Sequence, residues 1–480
     1  MAVARKIAYN VLISSLSKAL STVLALVSIA FITRYLGKEG FGNYATVLAF
    51  LSLFAAVADL GLYSISTREI SKEGADEKKI VGNIFALRII SAIGIALLSP
   101  LLVYFFPYPK EVKLGIVIVA FSFIFSSGYQ VLNGIFQKNL AMDKVAIAEL
   151  IGKLLQVATV IVAVKINLGF QWIVAALLFN MILSFTTIYY LSKKYIRFKL
   201  QFDFSYWKNF LKESAPIGVS AIITFAYFKL DTIILSIMQT SSDVGIYNAA
   251  NKVLENITFF PAMIVGLIFP LLSKNIMINK KIFSDIANKT FKVFIILVVP
   301  LMVGTLFLSQ GIIRVIGGGG FAEAAAVLRI QVFSLALIFF GNFFNSILIA
   351  GHLQKNLMRV LGFAAIINIT LNIFLIPRYS YFGAAYVSVL TEFLVVALGF
   401  YVVVKKIKYR PKAEKIMEIL LSGFLMAAFL FLFRERSFTL SLIASPFIYF
   451  FSLWIFKGIK TEEVQSLISK KGVQEYGEIP

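Results

Sequence analysis

The sequence predicts an all-α, polytopic membrane protein of about fourteen transmembrane helices. Three observations carry this. First, its 480 residues are 59% hydrophobic and only 15% charged, with a mean hydropathy of +0.88. A soluble globule carries roughly 45–50% apolar and about 25% charged residues. Second, apolar runs of bilayer-spanning length, ~20 residues, recur from end to end. Third, Lys and Arg alternate between dense and sparse from one connection to the next.

Splitting the runs at Pro, Gly and charge clusters places spans near 7–33, 42–64, 80–104, 114–134, 145–164, 171–191, 215–238, 248–272, 291–309, 327–350, 357–377, 381–404, 416–433 and 438–456. The first run follows Arg5-Lys6, is too long for a signal-peptide core and has no small-residue cleavage site after it, so it is expected to remain as span one. Connections on the N-terminal side hold 30 Lys and Arg, those on the other side hold 9, and 7 lie within spans. That asymmetry predicts a cytoplasmic-membrane protein with both termini in the cytoplasm, and it requires an even number of crossings. No connection is long enough for a soluble domain. Phe204 to Lys212 reads as a helix in the headgroup layer or as a positively charged linker with an aromatic anchor. The tail 458–480 is polar.

Composition also excludes chemistry. With no Cys there is no disulfide, thiolate catalysis or thiolate metal site, and a single His (His352) makes no imidazole cluster, so neither cofactor nor metal is expected. The net charge of +22 is assigned to membrane topology rather than to nucleic acid.

Three short matches recur in order: Phe41-Gly42-Asn43-Tyr44-Ala45 with Val244-Gly245-Ile246-Tyr247-Asn248, Gln137 to Leu140 with Gln354 to Leu357, and Lys193-Lys194 with Lys405-Lys406. They predict two six-helix lobes of like orientation, 1–204 and 205–410, with two further helices and the tail in 411–480.

Several stretches then resemble the polysaccharide and lipid-linked oligosaccharide flippases (Wzx-like), of the superfamily shared with MATE exporters and lipid II flippases. They are Thr33-Arg34-Tyr35-Leu36-Gly37-Lys38-Glu39-Gly40-Phe41-Gly42-Asn43-Tyr44, Ala58 to Leu62, Lys229 to Leu235 and Val244 to Lys252. The resemblance implies a flippase rather than an enzyme, carrying an anionic lipid-linked sugar. It also implies membrane lipid and polysaccharide-assembly proteins as partners, and a monomer.

Ionisable groups inside spans are costly and face a cavity or a partner. In the first span Asn10, Ser14, Ser17, Ser21 and Ser28 form one polar stripe with Lys18 beside it. Hydroxyls alone serve close helix packing; a central Lys does not, which favours cavity lining. The seventh span repeats the design with Ser220, Thr224, Tyr227 and Asp231. Lys229 lies about 200° from Asp231 around the helix, so one of the two faces a cavity and the other a neighbouring helix. Lys18 and Lys229 are therefore expected substrate-binding cations, with Ser14 and Ser21 as hydroxyl partners; Arg88, without a sequence-local partner, is expected either to join them in the cavity or to pair at long range. The resemblance adds Lys252, which has Glu255 three residues on. Asp59 and Asp231 are expected in coupling or gating, Asp59 alternatively as a cap of the turn after it. Arg329 and Arg359 start spans and snorkel. Glu149 and Lys153 suit an intrahelical pair, and Glu392 is read as a packing residue or an ion site. Pro216, Pro261, Pro270 and Pro300 offer hinges. Gly317 to Gly320 lacks the Lys-Ser/Thr of a phosphate loop and reads as a connection.

Two other functions fit less well. A MATE-like exporter needs a buried carboxylate for H⁺ or Na⁺ exchange, whereas the central residues here are biased to cations. A membrane glycosyltransferase or polymerase usually needs carboxylates near the surface and a sizeable outer loop, and no Asp-x-Asp pair occurs.

Overall fold

In the computed structural model, residues 2–59, 61–72, 74–433 and 437–459 are described. The side chains of Asn10, Ser14, Pro216, Ser220, Thr224 and Tyr227 lie outside the described residues, as does the tail from 460. The described residues are almost entirely helical, with no strand among them. The helices are α1 (Ala2–Asp59), α2 (Leu62–Ile70), α3 (Glu77–Tyr104), α4 (Lys110–Lys138), α5 (Met142–Lys165), α6 (Phe170–Ser192), α7 (Phe204–Met238), α8 (Ser241–Ile257), α9 (Phe259–Ile278), α10 (Lys280–Gly317), α11 (Ala324–Ala350), α12 (Gln354–Val402), α13 (Ile416–Phe433) and α14 (Phe438–Ile455).

Among the described residues, eleven helical stretches are long and apolar enough to cross a membrane. Two of these are each broken once. Gly37 (φ 65°, ψ −170°) divides α1, and Ser380 (φ 47°, ψ −133°) divides α12. These breaks separate the two pairs of spans the sequence divides there. The 215–238 run lies within α7, and the 248–272 run spans α8 and α9, which part at Thr258. The described residues of the expected spans therefore fall on helix, apart from the turns at Gly61, Thr258 and Phe456.

Helix starts are set by local chemistry. Asp76 accepts from the Lys79 amide, Asp203 from Tyr206 and Asn279 from Lys281 and Ile282, each satisfying first-turn donors. Thr240 and Asp243 cap α8 reciprocally: the Asp243 amide donates to the Thr240 hydroxyl, and the Thr240 amide to the Asp243 carboxylate. At the foot of span two α1 ends at Asp59, and Gly61 (φ 75°) turns the chain into α2. Only glycine fits there, because a Cβ would fall 2.8–2.9 Å from Ile217 Cγ2 and the Ser214 carbonyl.

Two compact units form. The first comprises Met1–Ala249, Val315–Phe321 and Leu361–Val387. Its core joins α2, α3, α4 and α5 through Leu62, Ile84, Leu132, Phe136 and Val145. Trp207 and Phe210, from the stretch expected in the headgroup layer, are buried in this core. Trp207 Nε1 donates to the Asn83 carbonyl (3.1 Å), so the Trp207–Phe210 side of α7's first turns is covered by protein, while Phe204 stays exposed. The second unit comprises Ala250–Arg314, Ala322–Val360 and Ser388–Pro480. In it α13 and α14 pack on α10 through Ile296, Met426, Leu430 and Leu453, and Tyr449 donates to the Ile296 carbonyl (2.9 Å). Meanwhile Leu97, Leu98 and Leu101 of α3 and Phe424, Leu432 and Phe447 of α13 and α14 stay exposed, the surface a lipid-facing helix needs.

Candidate functional site

The first half of α1 presents two faces. Leu16, Leu20, Val23 and Val27 follow one another at three- and four-residue spacing, and all are exposed. Roughly 100–200° around the helix at 100° per residue lie Ser17, Lys18, Ser21 and Ser28. Lys18 is exposed, Ser17 and Ser21 are half-buried and Ser28 is buried. The Ser28 hydroxyl has no hydrogen-bond partner. An apolar face and a basic, hydroxylated face thus back onto each other on one helix.

Span seven carries two charged residues, Lys229 and Asp231. Asp231, 7% exposed, accepts from the Tyr247 hydroxyl on α8 and from the Thr232 amide. Thr232 donates to Asn248 Oδ1 (3.4 Å), whose amide returns to the Val244 carbonyl. Asp231 thus meets a neighbouring helix, α8. Lys229 is half-buried. The sequence marks Tyr247 and Asn248 only as part of a repeat, and here Tyr247 holds the carboxylate while Asn248 holds the Thr232 hydroxyl beside it.

Arg88 sits where α1 gives way to α2. Its guanidinium is 1% exposed and donates from Nη2 to Asp59 and to Gln130 Oε1 (2.8 Å). Its Nε and Nη1 have no hydrogen-bond partner. The arginine expected to meet substrate is, in this conformation, sealed and ion-paired across the break. Asp59 is 26% exposed and binds Arg88, and the turn after it carries no side-chain cap. Lys252, its side chain 15% exposed, pairs with Glu255 at 2.6 Å along α8.

Other polar groups of the spans have partners within the protein. Tyr129 donates to Glu149 (3.0 Å) and Lys153 to Gln156 (3.0 Å), which also accepts from Asn180. Arg329 donates to Ser309 (2.8 Å), so at least part of its guanidinium is held inside the protein. Glu392 is buried against α11, with Oε2 about where a side chain on Gly341 would reach. The glycine run forms a tight turn: Gly318 takes φ 71°, and Gly319–Phe321 closes one 3₁₀ turn that buries Phe321 against Phe41. No group of three His, Cys, Asp or Glu suited to a metal occurs among the described residues.

Solved structures share this fold. One titled "Lipid II flippase MurJ, inward closed conformation" aligns with a TM-score of 0.72, covering 95% of this chain and 100% of that one at 18% identity. An inward-facing multidrug resistance MATE family transporter aligns at 0.62, covering 81% and 95% at 13% identity. The Haloferax volcanii protein named "Probable low-salt glycan biosynthesis flippase Agl15" is 25% identical over 441 residues, 91% of this chain and 92% of its own length. The family described as "Polysaccharide biosynthesis protein" matches residues 7–276. The chain is a multi-pass membrane protein with the fold of MurJ and MATE transporters, and it belongs to the polysaccharide biosynthesis protein family.

Proposed function

We propose that this protein is a flippase that carries an anionic lipid-linked oligosaccharide across the cytoplasmic membrane by alternating access, with both termini in the cytoplasm. The observation that carries the reading is the two-faced first half of α1. Its exposed Leu and Val face suits lipid, and Lys18 with its serines on the far side suits a polar space. Moving a phosphorylated sugar unaided through ~30 Å of hydrocarbon is prohibitive. A basic, hydroxyl-lined path removes that barrier while the lipid tail stays in the bilayer. Family membership and the flippase name of the Haloferax volcanii relative support the same direction.

In this mechanism Lys18 meets the phosphate first, with Ser14 and Ser21 offering hydroxyls to the sugar. Lys229 and Lys252 take the head onward, Lys252 exchanging Glu255 for the phosphate. Arg88 does so when its pair with Asp59 opens, and Asp59 and Asp231 hold helices in register between strokes. The buried carboxylates Asp231 and Glu392, on a fold shared with MATE transporters, favour one second reading, a cation-coupled exporter of drugs or metabolites.

Native mass spectrometry of copurifying lipids tests the assignment. The wild-type protein retains an anionic glycolipid, and Lys18→Ala, at an exposed position, reduces that retention at least fivefold without loss of folding. Absence of any anionic glycolipid, or equal retention by the variant, overturns it. Export of cationic dyes by proteoliposomes, with no flipping of a fluorescent lipid-linked sugar, would instead establish the exporter.

A further inference from the structure

We infer that the elbows of α1 and α7–α8 form a pseudo-symmetric gate, closed in this structure, whose closure depends on backbone contact between Gly42 and Gly245. The inference rests on the transport reading only for what the gate admits. All of the residues involved lie in the first unit.

The glycines have no conformational reason to be there. Both sit in helix without positive φ, where glycine costs about 0.5–1 kcal/mol relative to alanine. Close approach explains them. A Cβ on Gly42 would run into the Ser241 carbonyl and come within 2.9 Å of the Gly245 nitrogen. A Cβ on Gly245 would run into the Lys38 carbonyl and lie 3.2 Å from the Gly42 nitrogen. The two positions are equivalent in the repeat that aligns Phe41 to Ala45 with Val244 to Asn248, so the contact lies on the pseudo-two-fold axis.

The bonds around it obey the same symmetry. Thr33 on α1 donates to the Ile316 carbonyl (2.6 Å), beside the connection between α10 and α11. Its equivalent in that alignment, Ser236 on α7, shares a hydrogen bond with the Tyr108 hydroxyl (2.8 Å) in the connection between α3 and α4. Each first helix thus reaches across to the opposite half. On its other side each is tied to its own half. The Gly169 amide donates to the Tyr35 hydroxyl (3.1 Å), and Gln239 donates to the Ile376 carbonyl (2.8 Å). The elbows correspond as well: Gly37 breaks α1, and its equivalent Thr240 lies in the break between α7 and α8.

This is a weak seal by construction. Backbones meet at its centre, supplemented by hydroxyl bonds worth about 1 kcal/mol each. Arg34 adds one bond to the Val315 carbonyl (2.9 Å), and Phe41 one edge contact with Phe321. Burial pushes the Tyr108 phenol up to about 12, so it stays neutral and imposes no charge on opening. A few weak bonds suit an equilibrium between states separated by a few kcal/mol.

The chain has no Cys, so an introduced pair reports closure without background. In Tyr108→Cys/Ser236→Cys protein, a short bis-thiosulfonate is expected to link the pair efficiently. Gly42→Val or Gly245→Val should lower the linking rate at least tenfold by propping the elbows apart. Thr33→Val, which removes a bond without adding bulk, should lower it about threefold and serves if the valine variants misfold. Unchanged linking in monodisperse Gly42→Val and Thr33→Val proteins overturns the gate. Linked protein in proteoliposomes should flip no lipid-linked sugar until reductant is added. Flipping by the linked protein overturns the gate and leaves the flippase reading standing. Unlinked protein that flips nothing overturns the flippase reading, and the linking rates still decide the closure.

Discussion

Arg88 and Asp59 form an ion pair whose two members are unequally buried, and that inequality is measurable. The guanidinium is 1% exposed, while the Asp59 side chain is 26% exposed. Removing Arg88 leaves a carboxylate that water can reach and that can accept a proton. Removing Asp59 strands a buried cation that cannot lose its charge and already lacks partners at Nε and Nη1. Asp59→Ala should therefore cost about 3–5 kcal/mol, and Arg88→Met only ~1 kcal/mol, the ordinary size for a point variant. The double variant should recover most of the loss. Thermal unfolding in detergent checks this, and equal losses from the two single variants would refute it. The sequence revealed Arg88 as a charge without a local partner and Asp59 as a residue before a glycine turn. It could not reveal that they meet, since 29 positions separate them and nothing in helical periodicity pairs one helix with another. The serine stripe of α1 was legible because it needs only spacing within one helix.

At the scale of elements, the breaks in α1 and α12 make opposite predictions because one is glycine and the other is not. Gly37 adopts φ 65°, ψ −170°, and a Cβ there would meet nothing within 4 Å. Gly37→Ala thus incurs backbone strain alone, about 1–3 kcal/mol. Ser380 sits in a comparably strained region at φ 47°, ψ −133°, and its buried hydroxyl has no partner. Ser380→Gly relieves strain without losing a bond and should stabilise the protein by about 1 kcal/mol. Denaturant or thermal titration of both variants decides the signs, and a destabilised Ser380→Gly would show that the break is held by something other than its backbone. The positions of both breaks were readable from Gly37 to Gly40 and from Pro377-Arg378. The strain at Ser380 was not, because serine carries no expectation of positive φ. The first turns of α7 show another limit. An aromatic face covered by protein and one resting in headgroups have the same periodicity, and only the Trp207 bond to the Asn83 carbonyl tells them apart.

For the whole molecule, the charge asymmetry and the repeat predict the same orientation from independent features. Lys193 lies over the Tyr189 ring (4.9 Å), and Lys405 lies over the Tyr401 ring (5.4 Å), each one turn further along its helix. Both pairs close the sixth span of a lobe as the sequence divides the chain, and Tyr with Lys at a span end is the chemistry of a membrane interface. An even number of crossings per expected lobe would put these two ends on one side, the side expected to hold 30 of the Lys and Arg. The Gly42–Gly245 approach was half legible in the same way. The repeat aligned the two glycines, but alignment does not say that equivalent positions touch, which happens only at a symmetry axis. Single cysteines in this Cys-free chain test the orientation directly. Lys194→Cys and Lys406→Cys, both exposed, should resist an impermeant maleimide applied to intact cells and react at least tenfold faster after permeabilisation. Asn167→Cys and Gly320→Cys, exposed in odd-to-even connections, should react in intact cells. If 194 and 406 label from opposite sides, one lobe has an odd number of crossings and the two-lobe plan fails. If all four reverse together the plan survives, and only the cytoplasmic placement of the termini is lost.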